Sequence, residues 1–219
     1  MPEIKERPIL FSAPMVRAIL EGRKTVTRRV CKPQPSANAH TTCASGNPTG
    51  GWWETGKDII RCPYGKPGDR LWVRETWAAD AQVDAVAPRD MSQGEPIHYA
   101  ADGAVRQTGC AMIKPGKGRP SIHMPRWASR ILLEITDIRV ERLQDISEQQ
   151  ALAEGIVGVP FRPDDGWPVC TGYMVGPDDG KTGLETAAAK AFAGLWNSVG
   201  GDWQANPWVW VVEFKRVTP

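Results

Sequence analysis

Residues 130–141 place apolar side chains in strict alternation, but in two phases: Leu133 and Ile135 keep one, Ile138 and Val140 the other. Such a pattern predicts one long strand that bends or bulges near Asp137. A second strand is expected from Arg70 to Trp77, with Leu71, Val73 and Glu75 on one side and Trp72, Arg74 and Thr76 on the other. Because both faces carry useful side chains, it reads as a central strand. Pro207 to Phe214 reads as a closing strand, and Ile97 to Ala100 as a brief one.

Three helices punctuate these strands. Ser12 and Pro14 open a short amphipathic run that stops near Gly22. Ser147 and Gln150 form a capping-box pattern for a helix that Gly155 ends, which puts Glu154 in its last turn. Leu184 to Ser198 carries an apolar stripe through Leu184, Ala188, Ala191, Phe192 and Leu195. Few helices among several separated strands imply an α+β fold built as a small β-barrel with peripheral helices.

The intervening stretches are rich in turn formers. Residues 31–67 read as a long loop ending in the Pro67-Gly68-Asp69 turn, 78–96 as a polar, proline-punctuated segment, and Lys114 to Pro120 as a broken basic loop. Residues 157–183 also read as loop, with a Pro-Asp-Asp-Gly turn at 163–166 and another at 177–180. At 219 residues, the chain is expected to be one elaborated domain.

The 27 Lys and Arg nearly balance the 25 Asp and Glu, so location matters more than sum. Arg17, Arg23, Lys24, Arg28, Arg29 and Lys32 face only Glu21 within 17–32. Residues 113–130 hold Lys114, Lys117, Arg119, Arg126 and Arg130 with no acid. Two basic stretches suit an anionic ligand, while the acid-rich segment 141–185 argues against a uniform wrap around long nucleic acid.

No apolar run approaches the roughly 18 residues a membrane span needs, and the N-terminus lacks a signal-like apolar segment. A cytoplasmic protein without a membrane partner is expected. The five cysteines are irregularly spaced with no Cys-x-x-Cys, so free thiols are expected. Cys31, His40, Cys43 and Cys62 can be drawn as a zinc set, but their spacing matches no compact zinc module. No metal and no cofactor is expected.

Ile19-Leu20-Glu21-Gly22-Arg23-Lys24-Thr25-Val26-Thr27-Arg28-Arg29 is the stretch richest in chemistry, setting an amine and two hydroxyls among guanidinium groups. A lysine held near other cations loses its proton more readily and can serve as a base; a solvated basic helix end is the plainer alternative. This segment, Gly-Asp-x-Leu-Trp-Val at 68–73, the strand and helix at 130–155 and Trp-Val-Val-Glu-Phe at 210–214 together resemble the ASCH domain family. That family is similar to PUA domains, which implies a PUA-like β-barrel whose cleft recognises RNA or modified nucleotides. Residues near 40–67, 78–120 and 157–183 would then be insertions. The longer pattern, with Cys62-Pro63-Tyr64-Gly65, Trp72 to Trp77 and Asn206 to Trp210, resembles the ASCH proteins of bacteriophages and prophages, which implies a bacterial host cell.

Within that family, a small bacterial enzyme hydrolyses N(4)-acetylcytidine with a lysine, a threonine and a glutamate. The resemblance implies Thr27 as nucleophile, Lys24 as base and Glu154 as acid, with Arg29 near the acyl or sugar end of the ligand. Such chemistry needs a neutral lysine and a protonated glutamate. Arg23, Arg28 and Arg29 would help the lysine, and would oppose a protonated glutamate if they pointed at it. Lys24 and Arg29 can equally hold a phosphate while Thr27 bonds a base edge, which leaves an RNA or modified-base binding module, or a ribonuclease, as alternatives.

Other candidates lie outside that trio. Trp127, beside Arg126 in the second basic stretch, is the best placed aromatic for stacking on a base, whereas Trp72, Trp208 and Trp210 read as core. Glu75 could read an exocyclic amine or pair with an arginine. His98 and His123 have no partnered nucleophile, and Lys114 to Gly118 lacks a phosphate-loop ending.

Overall fold

The computed structural model describes residues 3–36, 38–41, 51–54, 59–163, 166, 168–176 and 183–218. The chain runs β1 (Glu6–Leu10), α1 (Ala13–Leu20), β2 (Val26–Val30), β3 (His40–Thr41), β4 (Gly51–Trp53), β5 (Ile60–Arg61), β6 (Arg70–Arg74) and β7 (Trp77–Ala78). It continues with β8 (Ile97–Tyr99), β9 (Val105–Arg106), β10 (Leu132–Arg142), α2 (Glu148–Ala153), β11 (Ile156–Phe161), β12 (Cys170–Val175), α3 (Ala188–Ser198) and β13 (Trp208–Val217). The architecture is mixed α+β, mostly sheet with few helices.

One five-stranded sheet, ordered β1-β6-β10-β13-β2, organises the molecule. Only β1 and β6 run parallel; the other neighbours are antiparallel. The long strand β10 carries the irregularity its sequence predicts, for its register against β13 shifts between Ile135 and Asp137. The shift lets both phases serve one face: Leu133, Ile135, Ile138 and Val140 all enter the same apolar cluster with Trp210, Val212 and Phe214. Val209 and Val211, the alternate residues of β13, join Val26, Leu143, Ala151 and Phe192 in a second cluster on the opposite face.

The closed barrel expected above does not form among the described residues. β1 and β2 are edge strands with one partner each, and the segment joining them is α1, whose Met15, Val16 and Ile19 pack into the first cluster. Neither edge was foreseen as a strand. In β1, Pro8 disguises the pattern, and an edge is the one place where a missing N–H is tolerated. In β2, Val-Thr-Arg-Arg-Val spends its alternation on polar side chains.

The segments read as loops or insertions hold sheets of their own. β3-β4-β5 falls within the first; β7-β8-β9 starts at Trp77 and runs into the second, with β8 the brief strand expected at 97–100, and Trp77, Met91, Ile97, Tyr99 and Met124 build a third cluster there. The 157–183 segment, expected to be a loop, contains the antiparallel hairpin of β11 and β12. The expected 70–77 strand stops at Arg74, because Trp77 leaves the main sheet to pair with Tyr99 and to exchange backbone hydrogen bonds with Arg119. α3 starts at Ala188 instead of 184: Glu185 is held by reciprocal 2.8 Å bonds to Tyr173, and the Glu148 carboxylate caps Ala188 N–H at 2.6 Å.

α2 is short, and its termini are defined by side chains. Ser147 Oγ accepts from Gln150 N–H at 3.2 Å while Gln150 Oε1 accepts from Ser147 N–H at 3.0 Å, and Gly155 turns the chain at φ 102°. Ser147→Ala is expected to lower unfolding free energy by about 1 kcal/mol in urea titration, the usual worth of an N-cap. An unchanged midpoint would mean that packing alone holds the helix. No helix among the described residues is long and apolar enough to cross a membrane.

Candidate active site

Residues from both edge strands and all three helical segments line a cavity of about 570 Å³. Leu10 and Phe11 come from the end of β1, Lys24 and Thr27 to Val30 from the approach to β2 and the strand itself, and Glu154 from the end of α2. Phe192, Leu195 and Trp196 form an apolar wall from α3, and Thr76 and Ser121 add hydroxyls. A cavity with mostly apolar walls and a few convergent polar groups is the usual form of a small-molecule site.

Its charged floor is buried. Lys24, Thr27, Arg28 and Glu154 are each at most 3% exposed. Lys24 Nζ donates to Glu154 Oε2 at 2.5 Å, to Val26 O at 2.7 Å and to Glu154 O at 2.9 Å. Three donors meeting three acceptors is the full complement of an ammonium. Burial nevertheless pulls the Lys24 pKa down against the pull of Glu154, and Arg29 and Arg28 add to the lowering. The two residues are 130 positions apart, and α2 with its Gly155 turn is what delivers the carboxylate. At Gly155 a β-carbon would meet Ala18 Cβ at 3.1 Å, so the turn also lets α2 approach α1 closely.

The second oxygen of Glu154 belongs to an arginine. Arg28 Nη1 donates to Glu154 Oε1 at 3.2 Å, and Arg28 Nη2 donates to Gln150 Oε1 at 3.0 Å and Glu141 Oε2 at 3.4 Å. Arg28 therefore does point at the carboxylate. Thr27 stands on the other face of β2, opposite Val212, and its hydroxyl has no hydrogen-bond partner among the described residues. Arg29 gives Nη2 to Leu10 O at 2.8 Å and Nη1 to Arg28 O at 3.2 Å, tying the two edge strands together beneath the cavity. Its guanidinium lies 5.3 Å from the Phe11 ring centroid, and Lys24 Nζ lies 5.7 Å from the same ring.

Of the residues singled out in the sequence, Lys24, Thr27, Arg29 and Glu154 meet here; four others do not line the cavity. Arg23 turns outward to pair with Glu21 and donates to Gly155 O at 3.2 Å. Glu75 is buried but committed to Arg130, whose Nε and Nη2 each reach it at 2.9 Å. Burial pushes the Glu75 carboxyl up despite that fork, and Arg130 also holds Asp102 and sits 4.0 Å from the Tyr99 ring. Trp127 packs half-buried against the third cluster, with Arg106 bonded to its carbonyl at 2.9 Å. Arg126 is exposed and pairs with Glu6 at 2.8 Å. The 113–130 basic stretch thus serves mainly the β7-β8-β9 sheet, although Ser121 reaches the cavity.

The tryptophans divide similarly. Trp210 lies in the first cluster, while Trp72 and Trp208 carry Arg74 and Arg142 over their rings at 4.6 and 4.5 Å. Of the residues drawn as a zinc set, Cys43 lies outside the described residues. Cys31 and Cys62 are buried together, and burial pushes their thiols up to about 12 and about 11, which disfavours the thiolate a metal needs. His40 is exposed and stacks on Trp53 at 4.9 Å. The described residues hold no group of three or more metal-ligating side chains.

Sequence reasoning missed Phe11, Thr76, Ser121 and the α3 wall, none of which carries a local signature of its role. Arg28 was legible only as a nearby charge; reading 26–30 as a strand would have put it and Thr27 on opposite faces. Comparisons with family models, with curated proteins and with solved structures give no match.

Proposed function

We propose that this cavity receives an N(4)-acylated cytosine nucleoside and hydrolyses its exocyclic amide, as the resemblance to ASCH proteins suggests. The same reading takes the five-stranded sheet and its covering helices as a PUA-like barrel left open between β1 and β2. One observation carries it: a buried amine and a carboxyl group in direct contact line one cavity with the Thr27 hydroxyl, which has no hydrogen-bond partner among the described residues. These are the three groups that acyl transfer requires, two from the segment that enters β2 and one from the end of α2.

The Lys24 and Glu154 pair, with one proton between them, can exist as ammonium and carboxylate or as amine and carboxylic acid. Moving the proton across the 2.5 Å contact converts one into the other without changing net charge. Burial favours the uncharged form. In that form Thr27 Oγ1 attacks the amide carbon while Lys24 takes its proton, and Arg29, with N–H groups beyond the two it has given away, faces the oxyanion. Glu154 then protonates the leaving nitrogen, cytidine departs, and an acyl ester remains on Thr27. Lys24 is now an ammonium and Glu154 a carboxylate. Water attacks the ester, Glu154 accepts its proton, Lys24 returns a proton to Thr27, and the acid departs with the starting state restored.

Incubation of the protein with N(4)-acetylcytidine should release acetate and cytidine in equal amounts, read by chromatography. Folded protein that gives neither product discards this substrate. A second reading has one observation behind it: every Lys24 donor is engaged, and none reaches Thr27. That is the arrangement of a binding module for a modified base or RNA. Oligonucleotide affinity falling steeply with salt would favour it, since phosphate contacts release counterions and a free nucleoside does not.

A further inference from the structure

We propose that Arg28 is the positioning residue of this site: its buried fork fixes the Glu154 carboxyl group against Lys24, and its charge, moderated by Glu141, acts beside that of Arg29 on the proton that the two share. The geometry is that of a clamp. Arg28 leaves an edge strand and reaches both ends of α2: Gln150 in the capping box at its start and Glu154 at its close. Gln150 Oε1 already accepts from Ser147 N–H, so the cap of the helix, the arginine and the carboxylate form one hydrogen-bonded chain. With Oε1 taken by Arg28, only Oε2 is presented to Lys24.

The charges facing this chain can be named element by element. α2 contributes Glu154, β10 contributes Glu141, the approach to β2 contributes Lys24, and β2 contributes Arg29 beside Arg28 itself. α3 presents the Phe192 ring, 5.9 Å from the guanidinium, and β13 presents Val211 opposite Arg28. Glu141 is shared with Arg139 and lies outside the cavity lining. A positive charge against the pair makes each proton easier to lose; a negative charge behind that arginine weakens the effect. Glu141 therefore acts on the pair from behind Arg28, to which it is hydrogen-bonded.

That turnover depends on this proton rests on the hydrolase reading; the proton's dependence on Arg28 does not. Both are separated by titrating protein labelled with carbon-13 at lysine Cε, with the Lys24 signal assigned by its absence from Lys24→Arg. Arg28→Gln is expected to raise the Lys24 midpoint by about one pH unit, the effect of removing a neighbouring charge. Glu141→Gln is expected to lower it, and Arg28→Lys, which keeps the charge, to leave it nearer wild type than Arg28→Gln does. A merely structural arginine would leave the Lys24 midpoint of Arg28→Gln no further from wild type than that of Arg28→Lys. If Arg28→Gln fails to fold, Glu141→Gln decides alone, and a midpoint equal to wild type overturns the proposal. If wild type hydrolyses N(4)-acetylcytidine, the pH profile of kcat/KM should shift in the same directions in the same variants. Midpoints that move as stated without any turnover uphold Arg28 and reject the hydrolase reading, whereas turnover with unmoved midpoints does the reverse.

Discussion

Thr27→Val should reduce kcat for N(4)-acetylcytidine by about 10³-fold or more while leaving the protein as stable as wild type. The two halves of this expectation have one cause. Because the Thr27 hydroxyl has no partner among the described residues, replacing it with a methyl breaks no hydrogen bond, and the new side chain has nearly the same shape. The expected change in unfolding free energy is within about 0.5 kcal/mol. The nucleophile, by contrast, has no substitute: losing the covalent route forfeits about 4 kcal/mol of barrier lowering for each 10³ in rate. Thr27→Ser, which keeps the hydroxyl, should recover part of the activity. Turnover in Thr27→Val at the wild-type rate would remove Thr27 from the chemistry and leave it as a cavity wall.

Glu154→Ala should be the most destabilising single change at the site, by about 3–5 kcal/mol, because it strands two buried cations. Lys24 and Arg28 both lose the carboxylate that compensates their burial. The double variant Glu154→Leu with Lys24→Met should recover much of the loss, since well-packed apolar residues often replace a buried pair without cost. The stability of the variant should also depend on pH. In Glu154→Ala the folded state holds Lys24 below its ordinary value of 10.5, by burial first and the neighbouring arginines second, while the unfolded chain keeps its proton up to that value. The unfolded state then binds more protons, so stability rises as pH climbs toward about 10 and falls below it. Urea melts of wild type and Glu154→Ala at pH 7 and pH 9 would read this directly. A Glu154→Ala stability that is equal at the two values, with wild type as the control for the rest of the molecule, would show that Lys24 stays charged in the folded variant, hydrated through the cavity.

Much of the molecule was legible because it is written locally. The capping box of Ser147 and Gln150, the Gly155 stop and the Asp137 irregularity each depend on residues within one or two turns of chain, and all three appear. The meeting of Lys24, Thr27, Arg29 and Glu154 was anticipated through resemblance; no spacing could have announced a contact 130 residues apart. Glu75, Arg126 and Trp127 went astray for a related reason. A carboxylate, an arginine or an indole looks the same in sequence whether it awaits a ligand or is already engaged by Arg130, Glu6 or Arg106.

The sequence by itself therefore determined the strands β6, β10 and β13, the ends of α2 and the site of the bulge, since these follow from periodicity and backbone sterics. Only the tertiary structure decided that the main sheet stays open between β1 and β2, that the cavity lies against those edges, and that Arg28 points at Glu154. Those outcomes depend on which distant groups satisfy one another's charge and hydrogen bonds once water has been excluded, and that choice is made in three dimensions.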